Sequence, residues 1–264
     1  KARKLQSIIK PFVLRRTKEQ VAAELPPKTE QVLYCDMSED QAAYYEKTKS
    51  AYRNDLLQSM DDGTFAQKQV QLLQGLTALR QLANHPVMID NEYESDSGKF
   101  ENVIHTLDNV LKGGHKVLVF SQFVTMLDLI KKQLEKRGIG FAYLTGQTKN
   151  REEVVQSFQQ NDDIPVFLIS LKAGGTGLNL TQADYVYLVD PWWNPAVENQ
   201  AIDRAYRIGQ HKNVMAVRLI CPDTIEEKIM KLQATKNDLV KNLIQSDGSF
   251  FKGLNKKELL GLLS

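Results

Sequence analysis

Between residues 99 and 222, short apolar runs alternate with amphipathic stretches. The runs at 116–121, 141–144, 166–171, 185–189 and 214–221 read as strands. Several are apolar on both faces, the pattern of a parallel sheet covered by helices on each side. After the first run, Phe123, Met126, Leu127, Ile130 and Leu134 repeat at helical spacing and stop at Gly138. A second helix is predicted at 150–159. A third opens at Asn194, a good N-cap, with Pro195 in the first turn, and is expected to end at Gly209. On it Val197, Ala201, Ala205 and Ile208 form the packing face, while Gln200, Asp203, Arg204 and Arg207 share a polar stripe. Strand and helix in alternation predict a doubly wound α/β domain over 97–222.

The flanks follow other patterns. Residues 1–28 form a basic linker that closes on Leu-Pro-Pro-Lys, where paired prolines force extended backbone. Residues 29–96 open on a strand-like stretch, Glu30 to Met37. A capping box, Ser38 to Gln41, then starts a helix to about residue 60, and a second helix is expected from 65 to 84. Pro86 and the acidic run at 90–98 mark a boundary. Residues 223–264 begin at Asp223, read as an N-cap, and carry a stripe of Ile225, Ile229, Leu232, Leu239 and Leu243 before a short amphipathic tail.

Composition changes this picture little. The chain is 42% hydrophobic and 25% charged with a net charge of +2, an ordinary globular balance. The charge is uneven, however: residues 1–28 hold eight Lys/Arg against Glu19 and Glu24, which suits an anionic partner. Cys35 and Cys221 lie in apolar stretches and read as small core residues of a reducing compartment. No apolar run is long enough for a membrane span, and an intracellular location is expected, cytoplasmic or nuclear. The chain opens without Met and is read as a fragment or a processed form.

Candidate chemistry concentrates in two places. Ser170 to Leu180 carries three glycines, Gly174, Gly175 and Gly177, after a predicted strand, where backbone amides can approach a phosphate. It is neither a Walker A loop nor G-x-G-x-x-G. In Asp203 to Gln210, two arginines three residues apart repel one another unless an anion meets them. The four histidines lack metal-ligand spacing, so no metal site is expected. Glu152, Glu153, Glu226 and Glu227 sit in first helical turns, where the helix dipole explains them.

The motifs come in a recognisable order: KPFVLRRTKEQVAAELPPK, LRQLANHPVM, KVLVFSQF, YLTGQTKNREEVVQSF, LISLKAGGTGLNLTQADYVYLVDPWWNP, QAIDRAYRIGQ and TIEEKIMKL. The series resembles the second motor lobe of Swi/Snf-type DNA-dependent ATPases, in helicase superfamily two, over nearly the whole chain. The resemblance implies a RecA-like lobe with a helical protrusion at 38–84 and a C-terminal brace at 223–264. It implies a first RecA-like lobe as partner, ATP and Mg held mainly by that lobe, and double-stranded DNA in a protein–DNA complex as substrate. Arg204 and Arg207 are implied arginine fingers, with Gln200 and Asp203 beside them on the nucleotide side. Gly175 and Gly177 are implied in the loop coupling ATP to DNA. Ser121, Gln122, Phe123, Thr145, Gly146 and Lys172 are implied contacts to the DNA backbone, and Trp192, Trp193 and Asn194 an adjoining DNA-facing element. Tyr206 departs from the family, where His is more common. Competing expectations are an RNA helicase lobe and a non-enzymatic nucleic-acid-binding or interaction module.

Overall fold

The computed structural model describes residue 22 and residues 24–173, 177–240 and 256–263. Six strands form one sheet: β1 (Lys28–Tyr34), β2 (Val117–Ser121), β3 (Phe141–Leu144), β4 (Val166–Ser170), β5 (Tyr185–Leu188) and β6 (Val214–Ile220). Their order is β1-β6-β5-β2-β4-β3, and every pairing is parallel. The helices are α1 (Glu39–Asp61), α2 (Phe65–Asn84), α3 (Gly98–Lys112), α4 (Val124–Lys136), α5 (Arg151–Gln160), α6 (Pro195–Ile202), α7 (Ile225–Val240) and α8 (Lys256–Leu263).

The period-two pattern of the central strands sorts their side chains between two cores. Leu118 and Phe120 of β2, with Phe167 and Ile169 of β4, face Phe158 of α5 and Ile202 of α6. Val117 and Val119, with Val166 and Leu168, face Val103 and Leu107 of α3 and Met126, Leu127 and Ile130 of α4. A sheet apolar on both faces is thereby covered on both, as the sequence predicts. β1, grouped in the sequence with the helical insert, is instead an edge strand of this sheet, in register with β6 from Lys28↔Val214 to Tyr34↔Ile220.

A third core joins the two flanking helical regions. Tyr45, Leu56, Leu72, Leu76, Leu79 and Leu82 from α1 and α2 pack with Ile225 and Ile229 of α7 and Leu259, Leu262 and Leu263 of α8. The buried Tyr45 hydroxyl accepts from the Ile225 amide at 2.8 Å.

The chain ends of these helices depart from the sequence reading in instructive ways. Ser38 does cap α1, accepting from the Gln41 amide at 3.3 Å. Gln41 does not complete the reciprocal box. Its side chain is buried, donating to the Leu82 carbonyl at 2.8 Å and accepting from the Gly98 amide at 3.1 Å. α7 is capped by Thr224 rather than Asp223: the Thr224 hydroxyl accepts from the Glu226 amide at 3.2 Å, and Asp223 takes a positive φ of 57°. α3 has no counterpart in the sequence reading. Its N-cap Ser97 sits inside the acidic run taken as a boundary, and its first polar residue, Lys99, is buried. At Gly98 an added Cβ would lie 1.9 Å from the Asp36 carbonyl oxygen, so only glycine lets α3 start this close to the β1–α1 connection.

Glu226 was expected only to favour the helix dipole. It is fully buried, and its carboxylate meets the equally buried Lys99 ammonium at 2.5 Å. Lys99 also donates to the Val189 carbonyl at 3.0 Å, and the Cys221 amide donates to Glu226 at 2.9 Å. Burial acts to lower the Lys99 pKa, but Glu226 more than offsets it and holds the ammonium above its ordinary range. The pair ties α3 and α7 to the ends of β5 and β6.

Candidate nucleic-acid and phosphate interface

Four of the expected DNA-facing segments fall at the carboxyl ends of four adjacent strands. Trp192 to Asn194 follow β5, Ser121 to Phe123 end β2, Lys172 follows β4, and Thr145 and Gly146 follow β3. Parallel strands place these ends on one side of the sheet, so segments scattered over about seventy residues of sequence line up in a row. Lys172, Gly146 and the half-buried Asn194 offer accessible groups along it.

The other members of the row are built inward. Ser121 is fully buried and its hydroxyl donates to the Asp190 carboxylate. Asp190, also fully buried, accepts from the Gln122 amide at 3.2 Å and from the Gln122 side chain at 2.7 Å. The Phe123 amide donates to the Ser121 hydroxyl at 3.0 Å. Burial pushes the Asp190 carboxyl above its ordinary range, opposed by Arg80 and by the Ser121 hydroxyl. Ser121 therefore shapes the 121–123 segment from within. Trp192 and Trp193 are 5% and 4% exposed, the first in the sheet core under α6 and the second in the helical core. Their rings are placed for packing, which leaves Asn194 as the accessible polar residue of that element. Asn194 also caps α6, accepting from the Ala196 amide at 3.0 Å. Thr145 is buried; its amide donates to Thr148 at 3.0 Å and its hydroxyl accepts from Gln147 at 3.3 Å, which shapes a tight turn around exposed Gly146.

The arginine segment differs from the sequence reading in its backbone. α6 stops at Ile202 with Asp203 as C-cap, and residues 203–209 form consecutive tight turns. Arg204, Ala205 and Gln210 donate through their amides to residues three positions back. Ala201 and Ala205 face the core as expected, but Ile208 is 66% exposed and leaves the packing face. Gln200 is exposed and Asp203 half-buried beside the arginines.

Arg204 is half-buried, and its Nε is buried with no hydrogen-bond partner among the described residues. Arg207 is exposed and donates to the Leu178 carbonyl at 3.4 Å. Among the described residues no carboxylate forms an ion pair with either guanidinium. Burial, then the charge of Arg207, hold the Arg204 pKa below its ordinary range. Such a pair is suited to an incoming multivalent anion.

Two contacts show how this turn is held. Leu180, past the glycine loop, donates through its amide to the Arg204 carbonyl at 3.0 Å. The loop thus starts at the carboxyl end of β4, beside Lys172, and finishes on the arginine turn. Gly177 lies within it with φ of 69°, whereas Gly175 lies outside the described residues. The second support is Gln210, which the sequence reading left without a role. Buried, it donates to the Ala183 carbonyl at 2.9 Å and the Ala205 carbonyl at 3.1 Å, and accepts from the amides of His211 and Lys212 at 2.9 and 2.8 Å. Its contacts place the arginine turn toward the amino end of β5, away from the row of strand ends. Gln210→Leu removes the side-chain partner of the Ala183 carbonyl and of the His211 and Lys212 amides. It should destabilise the chain by roughly 1–3 kcal/mol, measured by urea unfolding.

Comparison with known proteins agrees with this architecture. Residues 98–209 match the helicase conserved C-terminal domain and residues 1–88 the SNF2-related domain. The C-terminal domain of the Sulfolobus solfataricus SWI2/SNF2 ATPase has a solved structure that superposes with a TM-score of 0.71 at 32% identity, over 88% of this chain and 96% of that one. The chain belongs to the SWI2/SNF2 ATPase family. It corresponds to the family's C-terminal, RecA-like motor lobe. The S. solfataricus SWI2/SNF2 ATPase core in complex with dsDNA matches at TM-score 0.73 and 35% identity, over 97% of this chain and 55% of that one. A putative ATP-dependent helicase/translocase of Bacillus subtilis is 38% identical over 97% of this chain and 28% of its own length. The chain spans about a quarter of the length of the curated relatives it matches.

No helix among the described residues is long and apolar enough to cross a membrane, and none of their His, Cys, Asp and Glu side chains cluster as a metal site.

Proposed function

We propose that this chain is the second lobe of an ATP-driven translocase on double-stranded DNA, acting on a protein–DNA complex in partnership with a first RecA-like lobe. The observation that carries the reading is the pair Arg204 and Arg207, held on a supported turn where, among the described residues, no carboxylate forms an ion pair with either guanidinium. Bound ATP with Mg would supply the transferable phosphoryl group and its charge. The chain's own contribution is electrostatic: phosphoryl transfer needs positioning and charge stabilisation more than covalent chemistry, and Arg meets phosphate oxygens with a rigid fork of donors. The buried Nε of Arg204 and the exposed guanidinium of Arg207 fit an anion delivered across a cleft. Gln200 and Asp203 flank that surface.

The row of strand ends supports the DNA half of the proposal. Lys172, Gly146 and Asn194 would meet phosphates, with Ser121, Gln122 and Thr145 shaping the loops. Phosphate contacts position a duplex without reading its sequence, as a tracking motor requires. The loop from Lys172 to Leu180 joins the two surfaces, so lobe closure at the arginines can be felt at the row. ATP turnover by the full-length parent protein is expected to rise with double-stranded DNA and not with single-stranded RNA. Equal or greater stimulation by RNA would move the assignment to an RNA helicase. No ATP turnover with either nucleic acid would favour a binding module.

A further inference from the structure

The motif around Arg80 in α2 is left without a role by the functional reading, and its side chain does not stay in the helical region. Arg80 is 3% exposed and donates through Nη2 to the Pro191 carbonyl at 2.5 Å, across 111 residues of sequence. Its guanidinium carbon lies 5.2 Å from the Trp193 ring centre and 5.6 Å from that of Phe123. It thus touches the segments that leave β5 and β2, and its charge acts on Asp190, the carboxylate that binds Ser121 and Gln122. The helix that carries it is fixed on its far side. Leu76, Leu79 and Leu82 are buried against α7 and α8, the Asn84 side chain donates to the Arg80 carbonyl at 3.0 Å, and the Ser97 hydroxyl donates to the Asn84 carbonyl at 2.5 Å.

We propose that Arg80 is a positioning residue through which the helical protrusion holds segments 121–123 and 191–194 in one geometry for the DNA backbone. This rests on the reading that the row of strand ends meets DNA. The planar cation fits the task, because one group fills the space by two rings, donates to a carbonyl and offsets a buried carboxylate. Without it, Asp190 keeps Lys99 as a neighbouring cation, but the link between the two segments is gone. Contact groups displaced by a fraction of an ångström bind phosphates less well, while ATP on the other lobe is untouched.

The test uses the full-length motor with Arg80→Met, Arg80→Lys and Lys172→Ala, measuring ATP turnover against double-stranded DNA concentration. Arg80→Met should raise the half-saturating DNA concentration by about tenfold or more, with turnover at saturating DNA falling less than about threefold. Arg80→Lys, which restores charge but not the plane, should fall between it and the parent. Amide exchange at Gln122 and Phe123 in Arg80→Lys should quicken, and this readout stands even where Arg80→Met does not fold. A half-saturating concentration unchanged in Arg80→Lys and Arg80→Met, with slow exchange retained, overturns the proposal if Lys172→Ala raises that concentration. If Lys172→Ala also leaves it unchanged, the DNA reading of the row fails first and the proposal falls with it.

Discussion

Replacing Arg204 or Arg207 with Ala in the full motor should lower DNA-stimulated ATP turnover by about 10³-fold, near 4 kcal/mol of transition-state stabilisation. Arg204 is half-buried, its Nε has no hydrogen-bond partner among the described residues, and its backbone carbonyl anchors Leu180. Arg207 is exposed and makes one long hydrogen bond to Leu178. Folding and nucleotide binding by the other lobe should persist while the chemical step slows. Lys at either position should recover little, since an ammonium cannot present two parallel donors to a phosphate. Steady-state turnover at saturating ATP and DNA checks this. Near-normal turnover with either Ala variant would remove that arginine from the reaction.

The largest effect on stability is expected at the buried ion pair. Lys99→Met or Glu226→Gln should each cost about 3–5 kcal/mol, because the partner is left as a buried charge with no opposite charge beside it. Both side chains are fully buried and meet at 2.5 Å. Each also serves the backbone, at Val189 and Cys221, so loss of one loosens β5 and β6 where the row and α7 begin. A double variant, Lys99→Met with Glu226→Leu, should regain a large part of the loss, since hydrophobic replacement of a whole buried pair is often neutral. The pair should persist through neutral pH. Lys99 is held above its ordinary range, so its contribution is present below the unfolded-state pKa near 10.4 and declines as pH rises through the folded value, while burial raises the Glu226 carboxyl, so the pair weakens toward acid pH as that carboxyl takes up a proton. Urea unfolding of the two singles, of Glu226→Leu alone and of the double measures the cycle. A single-variant loss below about 1 kcal/mol would show that the site admits water.

The strands were legible because their signal is local. Runs such as Val117–Ser121 and Val166–Ser170 are continuously apolar, and each predicted strand from β2 onward lies within a residue of the observed one. The helical end of the arginine motif was misjudged because Arg204, Ala205 and Ile208 keep helical spacing while the backbone tightens into turns fastened by Gln210. α3 was legible in principle, since Phe100, Val103, Ile104, Leu107 and Leu111 repeat at helical spacing, but the acidic run before it masked its start. Lys99, Glu198 and Arg80 could not be read locally. Lys99 meets Glu226 127 residues away, and Glu198, polar in sequence, is buried where it accepts from the Trp192 amide and from Arg218. The proposed DNA-facing row was legible only through the family resemblance, because four strand ends become neighbours only once the sheet order is known.

On the proposed reading, this chain offers arginines to a phosphate that another lobe holds. It contains no G-x-x-x-x-G-K-[ST] loop in its 264 residues. ATP hydrolysis by residues 1–264 alone, with saturating double-stranded DNA, tests that claim most directly. Turnover should be indistinguishable from the buffer rate and appear only when a lobe bearing a phosphate-binding loop is joined to the chain. Robust DNA-stimulated hydrolysis by the chain alone would contradict it.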